Sequence, residues 1–259
     1  MSEQVRHLAA RIELRGQNAD EIAARSAYLD LLEIQPGERV LDVGCGSGVV
    51  LRDLARRVGS SGRAVGLDYG AEFLAIASEL AELLERIELR QGDVRALPFS
   101  DGEFDLVLAA TVLRHVPDGD RSVAELARVV RPGGRVAVFE GDTDGLLINH
   151  PDRALTRRIV ASGTDDTTVD GQLTRRVPGL MLEAGLEDVQ ARAFTTIERD
   201  PNGFYANLCE RRAATAAQAG AITDEERDRW LEAFHAEQAA GRYLAAQVQI
   251  LTWARRPMS

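Results

Sequence analysis

The sequence predicts an α/β protein with a parallel sheet and helices on both of its faces. Three observations carry that expectation. Short apolar runs of strand length alternate with helical stretches across 39–140. The first run, Val40-Leu41-Asp42-Val43, leads into Gly44-Cys45-Gly46-Ser47-Gly48 and a helical pattern from Val49. That is a strand, a tight turn and a helix start, with glycines that let backbone approach a ligand closely. A second acid, Asp68, ends the next run, where a carboxylate can accept hydrogen bonds from both hydroxyls of a ribose. Ligands of such sheets lie beyond the carboxyl ends of the strands, so the residues after each strand are the ones to weigh.

Taken in order, residues 3–34 show apolar residues at helical spacing, broken at Gly16-Gln17-Asn18. Two helices are expected, with Asn18 or Asp20 capping the second. Pro36-Gly37 closes this part. Strands then fall at 39–43, 63–67, 87–91, 104–110 and 134–140, and helices at 49–58, 71–85 and 119–130. Glu140-Gly141-Asp142 follows the fifth strand and opens a polar excursion over 143–171, with a helix near 152–161. Another helix over 172–184 stops at Gly185. Runs rich in β-branched and aromatic residues at 188–199 and 243–255 read as long strands, with helices near 202–219 and 224–239 between them. No repeat, low-complexity tract or linker divides the chain. One domain over 1–259 is expected, with a core at 36–141 flanked by segments 1–35, 142–186 and 187–259.

Composition sets outer limits. Net charge is −10, and all 31 basic residues are arginine. That balance argues against nonspecific nucleic-acid binding, which positive charge dominates. Arg131, Arg157, Arg158, Arg175 and Arg176 are scattered and read as solvated helix faces. Cys45 and Cys209 form neither a disulfide framework nor a zinc motif, and Cys45 reads as a small pocket or core residue. The first fourteen residues are charged and amphipathic, unlike a secretion signal, and no apolar run has the length of a membrane span. A cytoplasmic protein is the expectation.

The glycine spacing is not that of a dinucleotide fingerprint, because Val49 stands where the third glycine would be. Asp42-Val43-Gly44-Cys45-Gly46-Ser47-Gly48 instead resembles the first motif of class I S-adenosylmethionine-dependent methyltransferases. Further segments resemble later motifs in the same order. They are Arg90 to Phe99 (with Gly92-Asp93-Val94), Phe104 to Ala110, Thr111 to Asp118, and Leu126 to Val136 with its Arg131-Pro132-Gly133-Gly134 turn. The resemblance covers about residues 38–141 and is closest to small-molecule methyltransferases of the quinone and natural-product kind. It implies a Rossmann-like, doubly wound sheet of seven strands, in the order 3-2-1-4-5-7-6, with the last strand antiparallel. It also implies S-adenosyl-L-methionine as the methyl donor.

Residue by residue, the resemblance assigns the ribose to Asp68 and a packing contact with adenine to Tyr69. Asp93 accepts from the adenine amino group, and Gly92 and the Val94 amide lie against the ring. Gly44, Gly46, Gly48 and Ala110 surround the methionine end, and Asp42 faces its ammonium. An acceptor that must lose a proton calls for a base. His115, after the fourth strand, is the first candidate, or else a turn histidine bonded to backbone. Glu140 and Asp142 after the fifth strand, and His150 in the excursion, are the others. His7 and His235 read as surface residues, and none of these groups has a trusted metal-ligand spacing. The N-terminal helices and the excursion are expected to form a lid, with Arg11, Arg15, Tyr28 and Phe204 as further substrate contacts.

The function expected is methyl transfer to a small molecule at nitrogen, oxygen or carbon. The alternatives are a rearrangement or cyclisation on the same fold and cofactor, and methylation of a protein or nucleic acid. Against the latter, Ala109-Ala110-Thr111-Val112 stands where base and amide methylases carry an Asn-Pro-Pro-Tyr-like signature. A nicotinamide oxidoreductase is disfavoured by the glycine spacing and by the absence of lysine.

Overall fold

A computed structural model describes residues 2–81, 86–162 and 169–258. In chain order the elements are α1 (Glu3–Gly16), α2 (Ala19–Leu31), β1 (Arg39–Val43), α3 (Val49–Val58), β2 (Arg63–Asp68), α4 (Ala71–Leu80) and β3 (Ile87–Gln91). There follow β4 (Phe104–Ala110), a single 3-10 turn (Leu113–His115), α5 (Gly119–Val129), β5 (Val130–Ile148), α6 (Arg153–Ala161) and α7 (Leu173–Glu183). The chain closes with β6 (Glu187–Glu198), α8 (Phe204–Gln218), α9 (Asp224–Ala239) and β7 (Ala245–Arg255).

The seven strands form one sheet in the order β3-β2-β1-β4-β5-β7-β6. Strands β1 to β5 pair in parallel, and β7 runs antiparallel between β5 and β6. Both faces are covered, so strands read as nearly continuous apolar runs. Alternate residues divide between the faces. Leu41, Val43, Val107, Ala109, Val136 and Val138 join one core, with Leu126 of α5 and Val177 and Met181 of α7. Val40, Leu106, Leu108, Ala137 and Phe139 join the other, with Tyr28 and Leu29 of α2 and Leu51 and Leu54 of α3. The hydroxyl-bearing ring of Tyr28 stacks on Phe139 at 4.3 Å, which seats α2 on the sheet.

Two differences from the expected elements matter. The helix expected over 71–85 is helical through Leu80, and 82–85 lie outside the described residues. The fifth strand does not stop at 140 but runs to Ile148. The chain bulges between Gly141 and Leu146, then Leu146-Leu147-Ile148 pairs again with Gln247-Ala246-Ala245. The polar stretch Gly141 to Gly145 reads locally as a loop; only the partner strand shows that it is a bulge. This extension carries a third core, in which α6, α8 and α9 pack around Trp230, Phe234, Tyr205 and Leu146. Among the described residues no helix is long and apolar enough to cross a membrane.

Candidate active site

The site is built at the carboxyl ends of β1, β2, β3 and β4. The β1 run ends at Val43 because Gly44, Gly46 and Gly48 all take positive φ, of 69°, 53° and 86°. Side chains resist that region, so glycine allows the turn. A Cβ on Gly44 would stand 1.9 Å from Cγ2 of Val112, which shows how closely the loop after β4 approaches the turn. The amides of Gly44 and Cys45 both donate to the Leu67 carbonyl, at 2.7 and 2.9 Å, and so tie the turn to the end of β2.

Asp68 sits at the centre of this arrangement. Its Oδ2 accepts from the Gly46 amide at 2.9 Å and its Oδ1 from the Gly70 amide at 2.8 Å. One carboxylate thus orders the glycine turn and the approach to α4, and its remaining lone pairs can meet a ligand. Burial raises its pKa, against the lowering effect of those amides. Asp42, 2% exposed, is more extreme. Burial, with the neighbouring Asp68 charge, pushes its pKa up to about 8, while a bond from the Leu51 amide works the other way. Its Oδ2 has no hydrogen-bond partner. One buried carboxyl oxygen beside the glycine turn is thus left without a protein partner.

A cavity of about 280 Å³ opens in front of these residues. Of the residues expected in the site, Gly44, Asp68, Tyr69, Gly92, Asp93, Val94 and His115 line it together. Leu67, Arg95, Val112, Val116 and Pro117 complete the wall. Asp93 is not a lone acceptor. The Arg95 guanidinium grips it through Nε at 3.0 Å and Nη2 at 2.6 Å, and the Arg95 amide adds a bond at 2.9 Å. That side chain holds the Asp93 carboxyl below the usual range. Tyr69 is largely exposed at the mouth.

Asp42, Gly46, Gly48 and Ala110 stand behind or beside the cavity wall rather than on it. Gly46 acts through its amide, and Gly48 is the left-handed residue from which α3 starts. Burial, reinforced by the charges of Asp42 and Asp68, pushes the Cys45 thiol far up, so this cysteine is no nucleophile.

The candidate bases need correction. Glu140 does not face the cavity. It is fully buried, and its Oε1 accepts the Val112 and Leu113 amides at 2.6 and 2.7 Å. Asp142 is held by Arg175, through Nε at 2.5 Å and Nη2 at 2.8 Å. His150 is half-buried beside the third core, stacked on its Trp230 at 4.6 Å. Its Nδ1 accepts the Asp152 amide and its Nε2 bonds the Trp230 carbonyl, both at 3.0 Å, so neither nitrogen is left for chemistry. His115 alone of the four lines the cavity, carried there by the 3-10 turn.

Helix α1 covers the glycine turn from outside. Glu13 accepts from Ser47 Oγ at 2.7 Å and from Arg52 Nη2 at 2.9 Å, and Ile12 Cδ1 comes within 3.6 Å of where a Cβ on Gly46 would stand. Helix α2 is anchored by Glu21, a buried acid whose Oε1 receives Arg15 Nε at 3.1 Å, Thr196 Oγ1 at 3.3 Å and the Tyr205 hydroxyl. Arg15 also lies over the Phe204 ring. Arg15 and Phe204 therefore serve this latch. Neither Glu13 nor Glu21 is legible in sequence, because each looks like an ordinary helix-surface acid until its distant partners are known.

The family described as "Methyltransferase domain" matches residues 41–138. The chain is 36% identical over 223 residues to an uncharacterized 37.1 kDa protein in transposon TN4556 of Streptomyces fradiae, covering 86% of this chain and 64% of that one. It is 32% identical over 185 residues to a demethylmenaquinone methyltransferase of Staphylococcus epidermidis, covering 66% and 77%. It spans about half the length of other curated relatives, such as 49% of that of Lactobacillus johnsonii. In structure it is similar to the YcgJ protein from Bacillus subtilis, with a TM-score of 0.65, 18% identity and coverage of 92% and 99%. With the glycine turn, Asp68 and Asp93 in place on this sheet, the chain belongs to the class I S-adenosylmethionine-dependent methyltransferases.

Proposed function

We propose that this protein transfers a methyl group from S-adenosyl-L-methionine to a small-molecule acceptor. The observation that carries the reading is the convergence of Asp68, the glycine turn and Asp93 on one cavity at the strand ends. The residues present fit the donor. Asp68 suits the ribose diol. Asp93, Val94, Gly92 and Tyr69 suit the adenine. The unpartnered Asp42 Oδ2, beside the glycine turn, suits the methionine ammonium. Bound there, the donor supplies an electrophilic methyl group on a sulfonium whose departure leaves a neutral sulfide.

The protein's own work is positioning and exclusion of water. Backbone amides and carboxylates fixed by partners of their own hold a ligand without reorganising during reaction. Helices α1 and α2 act as a lid: Glu13 fastens α1 to Ser47 and Arg52, and Glu21 fastens α2 to β6 and α8. Such closure dries the site. The name of the Staphylococcus epidermidis relative makes a demethylated quinone the first acceptor class to screen. A cytoplasmic location and a place in natural-product chemistry belong to the same proposal; the two unpaired buried cysteines support the location alone.

Calorimetry tests the donor. Both S-adenosylmethionine and S-adenosylhomocysteine should bind, and NAD should not. Binding of NAD with no response to either sulfur nucleoside would refute the reading. Mass spectrometry of acceptor screens then separates methylation, a gain of one methyl group, from a rearrangement that leaves mass unchanged.

A further inference from the structure

We propose that Arg114 and Glu140 are positioning residues for His115, and that together they fix its imidazole with the proton on Nδ1. Arg114 Nε donates to His115 Nε2 at 3.2 Å. A guanidinium N–H only donates, so the nitrogen it meets must carry a lone pair, and the ring proton of neutral His115 is then on Nδ1.

The arginine is itself held from several sides. The Glu140 Oε2, which makes no hydrogen bond, stands 3.7 Å from Arg114 Nε. A fully buried carboxylate requires compensation, and two loop amides on Oε1 with a guanidinium facing Oε2 provide it. The Arg114 carbonyl accepts the Val169 and Asp170 amides at 2.8 and 3.0 Å, which fixes its backbone. Gly141 leaves room for the head group, since a Cβ there would lie 3.1 Å from Arg114 Nη1. The loop enters this arrangement through Thr111, whose φ of 57° is a costly conformation for a β-branched residue. Its amide bonds the Phe139 carbonyl at 2.7 Å, next to Glu140 in β5. Phe139 and Glu140 of β5 thus clamp the loop after β4 twice, and the loop delivers His115 to the cavity with its Nε2 lone pair occupied. His115 lines the site with its Nε2 engaged by Arg114, and taking a proton at Nε2 requires breaking that bond.

The inference builds on the methyltransferase reading only for its role in turnover; its test does not. Long-range proton–nitrogen correlation spectra of protein carrying nitrogen-15 histidine report the tautomer of each ring. Only four histidines are present, and His115→Gln identifies the signal. His150 is an internal control, because its Nδ1 accepts the Asp152 amide and its proton must be on Nε2. Wild-type His115 should show the opposite pattern, a protonated Nδ1 and a bare Nε2. Arg114→Met should lose that pattern and give averaged shifts. Glu140→Gln, which keeps an oxygen for the two amides but removes the charge facing Arg114, should move it part of the way. A wild-type His115 with its proton on Nε2, or an unchanged pattern in folded Arg114→Met, would overturn the proposal, and the first outcome needs no variant to fold. Calorimetry with S-adenosylhomocysteine on the same wild-type sample keeps the questions apart: absent binding defeats the donor assignment and leaves the tautomer result standing.

Discussion

Replacing Asp68 with asparagine separates the two tasks this carboxylate performs. In the structure each oxygen already accepts one backbone amide, Gly46 at 2.9 Å and Gly70 at 2.8 Å. Asparagine is nearly isosteric but has one oxygen and an NH2. Whichever way it turns, one of those amides meets another donor. A buried donor left unsatisfied costs about 1–3 kcal/mol, and that loss should appear in the free protein as a lowered melting temperature. Binding suffers separately. One ribose hydroxyl loses a charged acceptor, which is worth about 1.5–3 kcal/mol. Since each 1.4 kcal/mol is about a factor of ten, S-adenosylhomocysteine should bind about tenfold to a hundredfold more weakly. Asp93→Asn should cost less, because the Asp93 carboxylate is partly exposed and shared with Arg95. The assay is calorimetry on wild type and both variants, with melting curves recorded without ligand. Folded Asp68→Asn binding within about twofold of wild type, where about 0.4 kcal/mol is lost, would refute the ribose assignment. A larger loss in Asp93→Asn would show that the adenine end dominates.

Two further outcomes follow from the same residues. Asp42 holds its proton up to about pH 8, against a carboxyl value of 3.8 for the unfolded chain. Between these values the folded state binds more protons than the unfolded, so this group makes stability fall as pH rises through that window. Urea unfolding at about pH 5 and about pH 8 should show a smaller decline in Asp42→Asn than in wild type; equal declines would contradict the buried neutral acid. Gly44→Ala places a Cβ on a residue with φ of 69° and 1.9 Å from Val112. Strain and overpacking together should cost about 2–4 kcal/mol, read as a fall in melting temperature with loss of S-adenosylhomocysteine binding, and wild-type behaviour would show that the turn tolerates a side chain.

Much of this molecule is written locally. The alternation of apolar runs is enough to place β1, α3, β3 and β4 at the bounds the structure shows, because burial on both faces of a parallel sheet leaves a continuous apolar signature. The glycine turn and Asp68 are legible for a related reason: positive φ and a strand-end acid are requirements on single residues. What the sequence cannot carry is the state of a side chain that depends on distant partners. Glu140 looks like an acid at the mouth of the site, yet β5 turns it inward to two amides of the loop after β4. His150 looks like a candidate base, yet Trp230, 80 positions on, claims its ring. The polar bulge at 142–145 looks like a loop, yet β7 pairs on both sides of it. Sequence determined the scaffold and the candidate donor-binding residues through local constraints. Tertiary structure decided which carboxylates are buried, which are paired and which imidazole reaches the cavity, because desolvation and partner charge act across space and leave no periodic trace in the chain.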